Sequence, residues 1–232
     1  MTSDNYIRKS ASNFNDQRRE YLLYGRINVL IKDHPISEEV DIPSALQEIE
    51  DKIPEPYFHN VDAIYIGEFP ELTQRDVMSA YLDGAVYTLN THEENEDLVR
   101  NIVHEMAHSI EQGSRAEIYH DGSVENEFLG KRKKLGSLLP VDKEGAFDVS
   151  KLMNPDYDKE VDEYLWFQVG YPTLLTLSIG LFVTPYSATS LREYFAEGLE
   201  QFFIGDRESL ATISPVLYTK IKQINEFLVK LT

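Results

Sequence analysis

Two histidines four residues apart, His104 and His108 in "RNIVHEMAHSIEQG" (Arg100–Gly113), have the type and spacing that most suggest chemistry. On a helix, positions i and i+4 lie about 40° apart around the axis. Both imidazoles then leave one face, one turn apart, and can converge on a single metal ion. Glu105 sits on the flank, near enough to reach a water at the metal without ligating it. That is the mechanical content of an H-E-x-x-H helix. A catalytic zinc usually takes three protein ligands and leaves a fourth place for water, so two histidines alone do not complete one.

Composition limits where a third ligand can come from. The 232 residues contain no cysteine, which removes thiolate ligands, disulfides and cysteine nucleophiles. The remaining donors are His, Asp and Glu. Glu111 shares a face with His104, but a third ligand normally arrives from another element, so an outer or solvent role is expected. His120 and Glu163 are weaker candidates. Glu193 and Glu197, in "REYFAEG", stand one turn apart on a segment whose other faces are apolar. A carboxylate there can be directed inward, although the neighbouring Arg192 is equally compatible with solvent exposure. The metzincin extension needs Gly at 111 and His at 114. Glu111 and Ser114 stand there instead.

The net charge of −18 argues against nucleic-acid binding, because phosphates would be repelled. The 42% hydrophobic and 27% charged fractions are those of a globular protein. The start, "MTSDNYIRKSAS", lacks the apolar core of a secretory signal, so export by that route is not expected. Tyr164 to Leu191 carries no charge, and its length alone would permit a membrane span. Gln168, Gly170, Pro172, Gly180 and Pro185 interrupt it. A buried core segment is expected there, with a lipid- or partner-facing patch as the alternative.

The elements that must position these residues read as follows. Asn15–His34 and Pro43–Ile53 read as helices, the second with Pro at its start. Val61–Phe69 and Gly84–Asn90 read as strands. Thr91 and Glu94 spell a capping box. It opens a helix whose apolar stripe is Leu98, Val99, Ile102, Val103, Met106, Ala107 and Ile110, with Gly113 as its end. Ser114–Asp158 is polar, with a possible helix near Val124–Leu138. The basic cluster Lys131–Lys134 reads as a solvated face, with a contact for an acidic partner as the alternative. Ser190 onward turns helical, and Ser214 with Pro215 opens a terminal helix. Strands early and helices late predict an α+β fold. The expected organisation is one domain over 1–232, with a helical N-terminal subregion at 1–58 and an insertion at 114–185.

The run from Tyr186 to Glu197, "YSATSLREYFAE", resembles the catalytic C-terminal region of anthrax lethal factor and its relatives, including the Pro-Pro endopeptidases. These are zinc metallopeptidases of the gluzincin type, and the resemblance implies a cytoplasmic or phage-associated protein. The resemblance covers the two motif blocks and not the whole chain. It implies that Glu193, first glutamate of E-x-x-A-E, is the third zinc ligand. It implies that Tyr186, seven residues earlier, assists catalysis, and that Glu197 is an outer carboxylate orienting a ligand. It further implies a zincin-like fold with an edge strand over the H-E-x-x-H helix. Gly84–Asn90 occupies that place and would pair with an extended peptide substrate. One departure is the 85-residue interval from His108 to Glu193, which is longer than the family's usual spacing.

The expected activity is zinc-dependent endopeptidase chemistry with one Zn2+, water activated by Glu105 and the oxyanion assisted by Tyr186. Two alternatives stay open. One is a catalytically silent zinc-binding protein with a structural or assembly role. The other is a metal-free interaction module that docks through Tyr164–Leu191.

Overall fold

The computed structural model describes residues 19–139 and 147–230. Contacts divide the chain into two compact units, Met1–Met106 and Ala107–Thr232.

The N-terminal unit is built on a five-stranded mixed sheet in the order β1-β2-β3-β5-β4. β1 (Glu20–Leu23) and β2 (Ile27–Ile31) are antiparallel, with Leu23 opposite Ile27. The expected helix over Asn15–His34 is therefore corrected to a hairpin, its first four residues lying outside the described ones. The described part of the 1–58 subregion, residues 19–58, is strand and helix together. Apolar residues at 21–24, 27 and 29–31 satisfy both periods, but burial alternates along β2, with Ile27, Val29 and Ile31 inside. Tyr24 (φ 51°) and Gly25 (φ 67°) make a turn of the primed hand that suits strand twist, and Arg26 N donates to Leu23 O at 3.2 Å.

Helix α1 (Ile42–Lys52) begins with Pro43 in its first turn and buries Ile42, Ala45, Leu46 and Ile49. It is tied to the hairpin through Tyr24, whose hydroxyl donates to Ile53 O at 2.7 Å. β3 (Ala63–Gly67) runs parallel to β2, and β5 (Ala85–Leu89) runs parallel to β3. The short helix α2 (Pro70–Gln74) and β4 (Ser79–Leu82) were not anticipated. β4 pairs antiparallel with β5 across Asp83-Gly84, both at positive φ (49° and 84°). A Cβ at Gly84 would lie 2.7 Å from Asp62 Oδ2 and would have to push that carboxylate aside, but it is the positive φ that calls for glycine in this turn. β5 thus has a partner on each side. The expectation that Gly84–Asn90 is an edge strand is overturned, and the edges are β1 and β4.

Helix α3 (Asn95–Tyr119) starts in this unit. Thr91 does not cap it. Asp97 does, its Oδ2 accepting from the amides of Glu93 (3.3 Å) and Glu94 (3.4 Å). Leu98, Val99, Ile102, Val103 and Met106 are buried, as the stripe predicts. Gly113 does not end the helix. It precedes a kink at Ser114 (φ −129°, ψ 25°), after which the helix resumes.

The C-terminal unit is mainly helical. It contains the end of α3, then α4 (Ser123–Leu138), α5 (Lys159–Glu163), a π-helical turn over Tyr164–Gly170, α6 (Tyr171–Ser178), α7 (Leu191–Phe203), α8 (Arg207–Ile213) and α9 (Pro215–Val229). Gly198 brings α7 against α9, since a Cβ there would meet Leu217 Cδ2 at 2.3 Å. Glu127 on α4 caps α9: its carboxylate accepts from Val216 N and Leu217 N, both at 3.0 Å, and from Tyr194 OH at 2.8 Å.

Only half of the basic cluster is a solvated face. Lys133 and Lys134 are exposed, but Lys131 and Arg132 are buried in line with Val124, Phe128 and Leu135. Lys131 Nζ donates to Leu181 O (2.6 Å), Ile213 O (2.5 Å) and Ser214 Oγ (3.1 Å). The uncharged run is only partly core. Tyr164, Leu165, Val169, Leu174 and Phe182 are buried, whereas Phe167 (81% exposed), Tyr171, Leu175 and Ile179 (76%) face outward. Among the described residues no helix is long and apolar enough to cross a membrane. The architecture is α+β with a mainly helical C-terminal half.

Candidate metal centre

The H-E-x-x-H stretch is helical, and one ligand atom each from His104, Glu105 and His108 lies within 4.8 Å of the others. Glu105 and His108 are buried and His104 is half-buried. In the N-terminal unit, β4 passes beside Glu105. Ser79 Oγ lies 2.8 Å from Glu105 Oε1 and 3.0 Å from Asn101 Oδ1. Asn101 Nδ2 in turn donates to Asp97 O at 2.8 Å, which fixes its amide. The Ser79 hydroxyl has one hydrogen to give and so serves one acceptor at a time. Sequence reasoning missed this serine because β4 was missed.

In the C-terminal unit, α7 delivers the acidic residues. Ser190 caps the helix, its Oγ accepting from Glu193 N at 3.2 Å. Glu193 is buried, with Oε2 3.4 Å from His108 Nε2. The carboxylate and the imidazole thus meet although 85 residues separate them in sequence. Glu197 and Glu200 follow at one-turn spacings and are also buried, so three carboxylates line the inward side of α7. Glu200 was not anticipated; the only signal for it was its place three residues after Glu197. Arg192, on the exposed side, turns back to donate Nε–H to His108 Nδ1 at 3.0 Å.

The segment before α7 is held tightly. Arg132 is fully buried and gives its guanidinium to four carbonyls: Ala188 (2.9 Å), Thr189 (2.8 Å), Leu152 (3.2 Å) and Asn154 (2.5 Å). Leu191 N donates to Pro155 O at 2.8 Å. Tyr186 lies in a single 3-10 turn (Tyr186–Ala188), half-buried, its ring 6.2 Å from that of Trp166. Its carbonyl accepts from Thr189 N and Oγ1, so its backbone is fixed relative to the start of α7.

The other candidates lie apart from this pairing. Glu111 is buried but bonded to Arg115 at 2.7 Å, and Arg115 also reaches Asp156 at 3.1 Å. His120 is exposed at the end of α3, with Nδ1 3.0 Å from Glu117 O. Glu163 is exposed and pairs with Lys159. Burial pushes the Tyr119 phenol well above its usual pKa, with Glu111 adding to the effect. Burial likewise raises the Asp162 carboxyl, and the charges of Glu193 and Glu163 add to it.

His104, Glu105 and His108 stand close enough together to hold a metal ion. No thiolate is among the possible donors, since the chain has no cysteine. Compared with known proteins, the chain matches no protein-family model, no curated protein and no solved structure.

Proposed function

We propose that this chain is a zinc-dependent endopeptidase of the gluzincin type, with a zincin-like arrangement. His104 and His108 of α3 and Glu193 of α7 would hold the ion. The observation that carries this reading is the 3.4 Å approach of Glu193 Oε2 to His108 Nε2, both groups buried. Zinc, when bound, supplies Lewis acidity: it makes water acidic near neutral pH and polarises a carbonyl. Glu105 takes the proton from the attacking water and passes it to the leaving amine. Ser79 Oγ, 2.8 Å from Glu105 Oε1, orients that carboxylate from β4. The Tyr186 hydroxyl assists the developing oxyanion, and Glu197 orients a ligating imidazole from outside the ligand set. An extended peptide adds to the outer edge of β4, the edge strand beside Glu105.

Elemental analysis and a degenerate peptide library test the proposal together. One zinc per chain is expected. Glu105→Gln retains the zinc and loses turnover, whereas His108→Ala loses both. Hydrolysis by Glu105→Gln at the wild-type rate removes Glu105 as the base. Zinc at one per chain with no hydrolysis by the wild type instead leaves a silent zinc-binding protein.

A second reading is favoured by the outward face of Phe167, Tyr171, Leu175 and Ile179. A run of exposed apolar side chains at four-residue intervals suits an interaction module. Absence of stoichiometric zinc in the purified protein would select that reading.

A further inference from the structure

The contact of Arg192 with His108 is one that a metal ligand set does not accommodate. Its Nε–H donates to His108 Nδ1 at 3.0 Å. A guanidinium only donates, so Nδ1 must present its lone pair, and a neutral ring then carries its hydrogen on Nε2. Nε2 is the atom that faces Glu193 Oε2 at 3.4 Å. The imidazole is therefore bracketed, with a guanidinium on one nitrogen and a carboxylate on the other.

Neither nitrogen is open to a cation in that arrangement. Ligation through Nε2 requires its hydrogen to leave, and a neutral ring then places a hydrogen on Nδ1, where Arg192 needs a lone pair. Ligation through Nδ1 takes that lone pair directly. Only a ring stripped of both protons would escape the conflict. The charges agree with the hydrogen-bond count, because a dication and a guanidinium on one ring repel.

We propose that Arg192 competes with the divalent cation for His108, acting as a latch that lowers metal affinity and is displaced on loading. This rests on the reading of His108 and Glu193 as ligands. Arg192 is free to move outward, since it is exposed while Glu193, its neighbour on α7, is buried. The latch opens by rotation of one side chain, with no rearrangement of α7.

The test uses the full chain stripped by a chelator and titrated with zinc against a chromophoric competitor. Arg192→Ala and Arg192→Gln are expected to bind zinc about tenfold tighter than wild type, the scale of one charge-assisted hydrogen bond. Equal or weaker binding by both variants overturns the latch and leaves the ligand reading intact. No zinc binding by any of the three proteins removes the ligand reading, and the latch with it. A second readout needs no metal. Long-range proton–nitrogen correlation on the stripped protein should show His108 as the Nε2–H tautomer in wild type, with that bias lost in Arg192→Gln. An Nδ1–H ring in wild type overturns the proposal.

Discussion

The two units position their parts by different means. In the N-terminal unit the backbone does the placing: five strands in fixed register, with Asp83-Gly84 and Tyr24-Gly25 setting the hairpins. In the C-terminal unit, long charged side chains, two of them buried and one half-buried, reach from α4 to backbone groups elsewhere. Arg132 holds four carbonyls, Lys131 holds two and a hydroxyl, and Glu127 holds two amides and a phenol. A ladder spreads its cohesion over many equivalent bonds. A buried ion concentrates it in one residue, whose removal strands every partner at once.

Substitutions can break this contrast. Arg132→Ala carries the largest expected effect, about 3–5 kcal/mol of unfolding free energy by urea titration, because three buried carbonyls and one part-buried carbonyl lose their donor. It should also loosen Tyr186 and Glu193, since Ala188 and Thr189 lie between them. Lys131→Met should cost about 1–2 kcal/mol at pH 7, the lost hydrogen bonds being partly offset by removal of a desolvated charge. Gly84→Ala, in the sheet unit, should cost about 1–2 kcal/mol from the left-handed φ. Ser79→Ala should be smallest in stability, about 1 kcal/mol or less, while slowing any hydrolysis that depends on Glu105. A cost for Gly84→Ala above that for Arg132→Ala would reverse the comparison.

The pH response sharpens the same point. Burial pushes the Lys131 ammonium down to about 8, below its value in the unfolded chain. Between about pH 8 and the unfolded value near 10.4, the unfolded state binds more protons, so the Lys131 contribution to stability rises with pH. Subtracting the Lys131→Met profile from wild type isolates that slope. A flat difference across the window would mean that the carbonyl cage keeps the ammonium charged.

Legibility followed the same division. Helix α1 announced itself through Pro43, and β3 and β5 through their β-branched and aromatic runs. β1 and β2 did not, because a dense apolar run fits the helical and the alternating period equally, and only Gly25 marked the turn. β4 was missed although Asp83-Gly84 is a strong hairpin signal, since "SAYL" is short and weakly apolar. Lys131 and Arg132 were misread because charge was weighed above position. They lie three and four residues from Phe128 and Leu135, on the inward stripe. At the site, residue types and spacing indicated His104, Glu105 and His108 as a cluster. Ser79 and Arg192 were not legible as its neighbours, because their role depends on which atoms three-dimensional packing sets within bonding range.

Because α3 departs from helical geometry at Ser114, its first run of regular turns ends before that residue. His104 and His108 both stand in that first run, so their one-turn offset follows from the helical repeat and owes nothing to the kink.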